Sequence, residues 1–327
     1  MKVTIPEELK KEVPQTAFGK ILNATHVVMA VVATMLAGLA SSEMTRAQYD
    51  RSLAAQHQSK AGDQWSFFQA KRLRGAYQRN TADLLQSMTD VHPVDPTRLT
   101  ALAQSPADPA REASVADAAK ARSDLVALLD SGAGQQALAL LQKGEIPGTS
   151  AGAAVAPNIK AALDAAEEFR TDAEVAKALA AVKDADLDGA LRAARDQAQA
   201  FDATTKPVNQ AIDGFDALLS RLAANSSLAR DFTAARLKYA GQRYEVEARL
   251  NQAIANLHEL QVRKSNLSAE RHHERSQQFF YGMLGAQLAV IISTFAIAAR
   301  QRNLLWSLAA LAGLLAIIFA VFVYVTK

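Results

Sequence analysis

The sequence predicts an all-α, multi-pass membrane protein with three transmembrane helices and a long helical extramembrane stalk or bundle. Three observations predict it. Two neighbouring uncharged apolar runs lie near the C-terminal end, and a third apolar run lies near the N-terminal end. Between them, the stretch from Gln242 to Tyr281 holds neither glycine nor proline and leads directly into the second run. Composition points the same way. Half of the 327 residues are hydrophobic but only 6% are aromatic, and alanine supplies much of the apolar share, which favours helix over sheet. A mean hydropathy of −0.03 conceals how strongly the apolar residues are clustered.

The runs Phe279–Ala299 and Leu304–Val325 carry no charge, and each exceeds the ~20 apolar residues that cross a bilayer core. Only Arg300, Gln301, Arg302 and Asn303 separate them, so the two helices form an antiparallel hairpin. Tyr281, Trp306 and Tyr324 fall near the run ends, where aromatic rings favour the interface. The first span, 21–40, is weaker. Asn23, Thr25 and His26 stand near its start, and its uninterrupted apolar part is Val27–Ala40. A cleaved signal peptide ending near Ala40 is the rival reading. The mixed charge of the tail 1–20, with Glu7, Glu8 and Glu12 among its lysines, favours a retained span. Small residues recur at i,i+4 in the hairpin: Gly282/Ala286, Gly285/Ala289 and Ala309/Gly313. Gly282, Gly285, Ala286, Ala309 and Gly313 are therefore the candidates for close helix packing in lipid.

Orientation follows from the short flanks. Lys2, Lys10, Lys11 and Lys20 share one side with Arg300 and Arg302, whereas the far side has only Lys327 once the long domain is set aside. Long domains translocate largely regardless of charge, so residues 41–277 are expected outside the cytoplasmic membrane.

Within 41–277, residues 41–88 read as a helix and 89–110 as a proline-rich linker containing Pro93, Pro96, Pro106 and Pro109. An alanine-rich helical region covers 111–227, broken at Gly132, Gly134 and the small-residue stretch Gly144 to Pro157. Residues 228–277 read as a long, coiled-coil-like helix. One heptad position holds Phe232, Tyr239, Val246, Ala253, Leu260 and Leu267, and the other Arg236, Arg243, Leu250, Leu257 and Lys264. Glu245/Arg249 and Glu259/Arg263 are i,i+4 pairs in the favourable order.

Chemistry is looked for and not found. Without cysteine there is no thiolate ligand or thiol nucleophile, and a formal charge of +3 implies no nucleic-acid partner. There is no phosphate-cradling loop, dinucleotide fingerprint or nucleophile elbow. His272 and His273, flanked by Glu270 and Glu274, are adjacent, and so point about 100° apart instead of sharing a face. They read as a solvated patch. The sequence thus offers no catalytic, cofactor-binding or metal-ligating residue, and the expectation is a chain that is not an enzyme. Arg263, Lys264, Arg271 and Arg275, just before Phe279, are candidates for contact with anionic lipid headgroups.

The run Asp63-Gln64-Trp65-Ser66-Phe67-Phe68-Gln69-Ala70-Lys71 resembles the D-x-W-x-(aromatic)-(aromatic)-Q-A-K run of a bacterial family known as domain of unknown function 4337. His272-His273 before a C-terminal membrane hairpin is similar to that family's layout. The alanine-rich centre is longer than that layout implies. The resemblance implies a bacterial inner-membrane protein, singles out Asp63, Trp65, Phe68, Gln69 and Lys71, and brings no activity. Phe68 and Arg72 share a helix face, so packing against the returning long helix accounts for the rings.

The expectation is a homo-oligomeric structural or scaffold protein, or one that recruits a protein partner, in contact with membrane lipids. The alternative is a channel or transporter subunit lined by Gln287, Ser293 or Thr294. A membrane sensor is the third reading.

Overall fold

A computed structural model describes residues 17–105, 115–144, 146, 155–168, 170–222, 226–298 and 302–326. Among the described residues every regular element is helical. In chain order these are α1 (Ala17–Met88), α2 (Pro96–Gln104), α3 (Val115–Asp130), α4 (Gly132–Lys143), α5 (Pro157–Glu167), α6 (Asp172–Ala180), α7 (Asp184–Arg221), α8 (Ser226–Ala298) and α9 (Arg302–Thr326). Three of them, α1, α8 and α9, are long and apolar enough to cross a membrane. The chain divides into a span unit, 1–56 with 262–327, and a helical unit, 57–261.

The span unit is built inside out relative to a protein in water. Ala33, Ala286, Ala289, Ala296 and Ala309 are buried, whereas Val31, Met35, Leu288, Ile291, Phe295 and Leu315 are exposed. In lipid that is the stable arrangement, because tails solvate the large side chains and small ones let helices approach closely. Leu36 and Ala40 of α1 pack with Phe279 of α8 and Val323 of α9. Ala33, Ala286 and Ala316 form the adjoining contact. Trp306 Nε1–H of α9 donates to Thr25 Oγ1 of α1 at 3.1 Å. Ser276 Oγ–H donates to the Ala40 carbonyl at 2.7 Å, so the residue at the rival cleavage site is inside the bundle. Arg300 and the tail 1–16 lie outside the described residues.

In the helical unit, α3 and α4 pack on α7. The main core gathers Leu99, Leu125, Leu138, Phe201, Ile212, Phe215 and Phe232, with the Phe215 and Phe232 rings 6.1 Å apart. α5 and α6 pair separately and bury Ile159, Ala162, Val175 and Leu179.

Two sequence expectations need correcting. The first span and the helix after it are one element, α1, which continues unbroken from Ala17 to Met88. The segment read as a proline-rich linker contains α2. Asp95 caps it by accepting from the Thr97 N–H, Pro96 opens it, and Leu99 and Ala103 are buried. Proline ends a helix from within but is well placed in the first turn, so here it begins one. Buried Asp231 fixes the preceding turn, accepting from the His92 N–H at 3.1 Å and from Arg98 Nη1 at 3.2 Å. The break expected at Gly132 falls at Ser131: α3 ends at Asp130 and α4 opens at Gly132. Ser131 caps it, and Gly144 ends it in the left-handed region at φ 67°.

Candidate functional site

Among the described residues of the span unit, a polar cluster surrounds Glu43, a residue that the sequence reading passed over. α1 carries it three positions past Ala40, where its side chain is only 8% exposed. Its Oε2 lies 2.5 Å from His272 Nδ1, while its Oε1 lies 3.4 Å from Arg46 Nη1 and 3.9 Å from Arg275 Nη1. A carboxylate this deeply buried is costly unless several donors face it, and here three basic side chains do.

This cluster corrects the reading of the basic stretch. His272 is not part of a solvated patch, and Arg275 turns towards Glu43 instead of outwards. Lys264 is half-buried and engaged with other groups. Of the four headgroup candidates, Arg263 and Arg271 are the exposed pair. Beside the cluster lies a groove of about 520 Å³. Ala37, Ala40, Met44, Phe280 and Met283 supply its apolar wall, and Ser41, His273 and Gln277 its polar end. His273 Nε2 pairs with Gln277 Nε2 at 3.0 Å.

The small residues singled out in the spans lie at helix contacts. Ala286 and Ala309 are fully buried. A Cβ on Gly282 would meet Leu36 Cδ1 at 3.4 Å, and one on Gly285 would meet Ala316 Cβ at 3.4 Å. A Cβ on Gly313 would strike Met29 Sδ. Gln287 is exposed, while the Ser293 and Thr294 hydroxyls both donate to the Val290 carbonyl of their own helix.

In the helical unit, the run beginning at Asp63 splits into two faces. Trp65, Phe68 and Lys71 turn towards α8, whereas Asp63, Phe67 and Gln69 are exposed. Trp65 Nε1–H donates to Glu259 Oε1 at 2.6 Å, and the Trp65 and Phe68 rings meet edge to face at 5.3 Å. Lys71 pairs with Glu247, itself buried and held by Arg243 at 3.0 Å, and lies 5.4 Å from the Tyr244 ring centroid. Arg72 stacks over Phe68 at 5.8 Å. Glu245 bonds Arg79 at 2.6 Å and Arg249 at 2.5 Å, and burial is too slight to offset these cations, so its pKa is lowered. Glu259, read as the i,i+4 partner of Arg263, is engaged by Trp65.

A second buried polar cluster went unnoticed in the sequence. His258 is 1% exposed. Its Nδ1 lies 2.9 Å from Gln261 Oε1 and its Nε2 lies 3.1 Å from Arg195 Nη2. A neutral ring fits both contacts, with Nδ1–H donating to the amide oxygen and Nε2 accepting from the guanidinium. Gln261 Nε2–H in turn donates to Asp188 Oδ1 at 3.0 Å. The His57 ring stands 5.9 Å from that of His258. Burial lowers the pKa of both rings. The Gln261 bond opposes it at His258 while Arg195 adds to it; at His57, Lys60 adds and Asp188 opposes. Among the described residues no cluster of histidines and carboxylates could hold a metal ion.

Residues 19–128 match the profile of the family described as domain of unknown function 4337. The matched segment takes in the first span, all of α1 beyond it, the Asp63–Lys71 run, α2 and most of α3. His272, His273 and the C-terminal hairpin lie beyond it, so the likeness rests on the N-terminal third of the chain. No curated protein and no solved structure matches the chain.

Proposed function

We propose that this chain is a non-enzymatic scaffold of the bacterial cytoplasmic membrane that acts as a homo-oligomer and recruits a protein partner through its helical unit. The observation that carries this reading is on α1 beyond its span. Leu73, Tyr77, Leu84 and Met88 are 59 to 73% exposed, although they belong to the unit expected to meet water. Isolated exposed apolar residues are ordinary, but a contiguous set on one helix marks an interaction surface. The hydroxyls of Ser293 and Thr294, satisfied within their own helix, favour this reading over a conducting pore. Exposed Arg263 and Arg271 suit contact with anionic headgroups. The helical unit is placed outside the membrane, with Arg300 and Arg302 in the cytoplasm, on the charge argument alone.

Mass photometry of the purified chain in detergent, over a range of protein concentrations, tests the oligomer. A defined multimer is expected. A strict monomer at every concentration overturns the reading.

A further inference from the structure

We propose that two copies of this chain pair in parallel along α1 through the seam Ala70, Leu73, Tyr77, Asn80 and Leu84. The proposal rests on the homo-oligomer reading above and names the surface that would serve it.

The spacing is the first argument. These five residues follow one another at intervals of three, four, three and four, the repeat that keeps one helix face against a partner. Ser87, three further on, and Met88 at its flank extend the face to the end of α1. The opposite face is already used. Phe68, Lys71, Gly75 and Ala82 point towards the chain's own interior, with Gly75 and Ala82 buried. Lys71 and Arg79 are tied to Glu247 and Glu245 of α8, which removes them from the seam side. The seam is therefore uncharged, and its large side chains Leu73, Tyr77 and Leu84 are uncovered by the described residues.

Area is the second argument. Side chains such as Leu73, Tyr77, Leu84 and Met88 each leave on the order of 100 Å² or more uncovered at this exposure. Two facing copies would bury roughly 1,000 Å² between them once flanking residues are included, which reaches the size of a specific interface.

Direction is the third. α1 leaves its span segment and continues unbroken to Met88, so copies inserted alike in one membrane carry the seam in the same direction. Parallel pairing sets each seam residue against its own copy. The flanking positions then bring Gln69 near Arg74, Ala76 near Thr81 and Asp83 near Met88, with no like charges opposed. Asn80 at the centre finds its own amide across the seam, the kind of polar pair that fixes register.

The absence of cysteine makes the test direct. Single cysteines replace Leu73, Asn80 or Leu84, and in controls Arg72 or Gln86, which are exposed but off the seam. Membrane vesicles from expressing cells, where all copies share one orientation, are treated with a mild oxidant. Disulfide-linked dimers should form at least about tenfold faster at the three seam positions than at the controls, because paired residues share a millimolar effective concentration. Equal rates at all five positions, or no dimer at any, overturn the seam. If oligomers persist by mass photometry without seam cross-links, another surface joins the copies and only this proposal falls. Linking between Leu73→Cys and Leu84→Cys copies mixed in one membrane, without linking of either alone, overturns the parallel arrangement.

Discussion

The Cβ that Gly75 lacks would fall 3.2 Å from the carbonyl oxygen of Gly241, and α1 and α8 approach each other backbone to backbone at this pair. A Cβ on Gly241 would in turn fall 2.8 Å from Arg79 Cγ. A branched side chain at position 75 must push the helices apart, so Gly75→Val is expected to destabilise the chain by about 1–3 kcal/mol. Gly62 of the same helix has nothing within 4 Å of its missing Cβ. Gly62→Ala is therefore expected to stabilise by about 0.5–1 kcal/mol through helix propensity alone. Thermal unfolding followed by circular dichroism in detergent separates the two. Equal effects of the same sign would show that close approach at Gly75 does not matter.

The His57 and His258 rings make stability depend on pH in a definite direction. Unfolded, they take up protons near the ordinary value of 6.5; folded, they resist until the solution is more acidic. The unfolded chain then binds more protons, so stability is full above about pH 6.5 and declines below it, by at most about 1.4 kcal/mol per pH unit for each ring. The denaturation midpoint of the helical unit should fall on acidification through this range, and His258→Gln should flatten the fall. A midpoint that rises on acidification, or a slope that His258→Gln leaves intact, would sink the assignment.

Removing the charge of Glu43 strands the two arginines beside it and leaves the His272 ring facing a neutral amide. Glu43→Gln keeps the volume but withdraws the anion from His272, Arg46 and Arg275. The basic side chains retain some access to water, so the expected loss is about 1–3 kcal/mol, below that of a fully buried pair. A double-mutant cycle with His272→Gln should show coupling, the second substitution costing less once Glu43 is gone. Strict additivity would mean that the contact carries no energy of its own.

Orientation can be read with the same cysteine-free background. A cysteine at Ser150 should react with a membrane-impermeant thiol reagent on intact cells, after the outer membrane is permeabilised, and one at Asn303 should not. The reverse pattern would place residues 57–261 in the cytoplasm.

Much of the architecture was legible because lipid imposes simple rules. Charge-free runs marked the spans, and the i,i+4 spacing of Gly282/Ala286 and Gly285/Ala289 lay on the inner face, with Ala286 and Ala289 fully buried. α2 was missed although its signal was present, since Asp95-Pro96 is a start signature that was read as a break. Of the heptad positions read on α8, Phe232, Tyr239, Leu257 and Leu260 are buried, but Ala253 is exposed while its neighbours Ile254 and Ala255 are buried. A single seam presumes one neighbour, and α8 has several. Glu43 gave no local sign at all, because a carboxylate just past a span looks like any solvated acid until its partner, 229 residues later, is brought beside it.

That separation has a consequence for biosynthesis. Ser276 donates to the carbonyl of Ala40 across 236 residues. At about 5–20 residues per second, a ribosome needs roughly ten to fifty seconds to make the intervening chain. For that interval the first span sits in the bilayer with Ala33, Leu36 and Ala40 uncovered, because α8 and α9, which supply Phe279, Ala286 and Val323, have not yet been made. The hairpin arrives late, and only then can the three-helix packing close. Lengthening the helical domain would delay that closure in proportion.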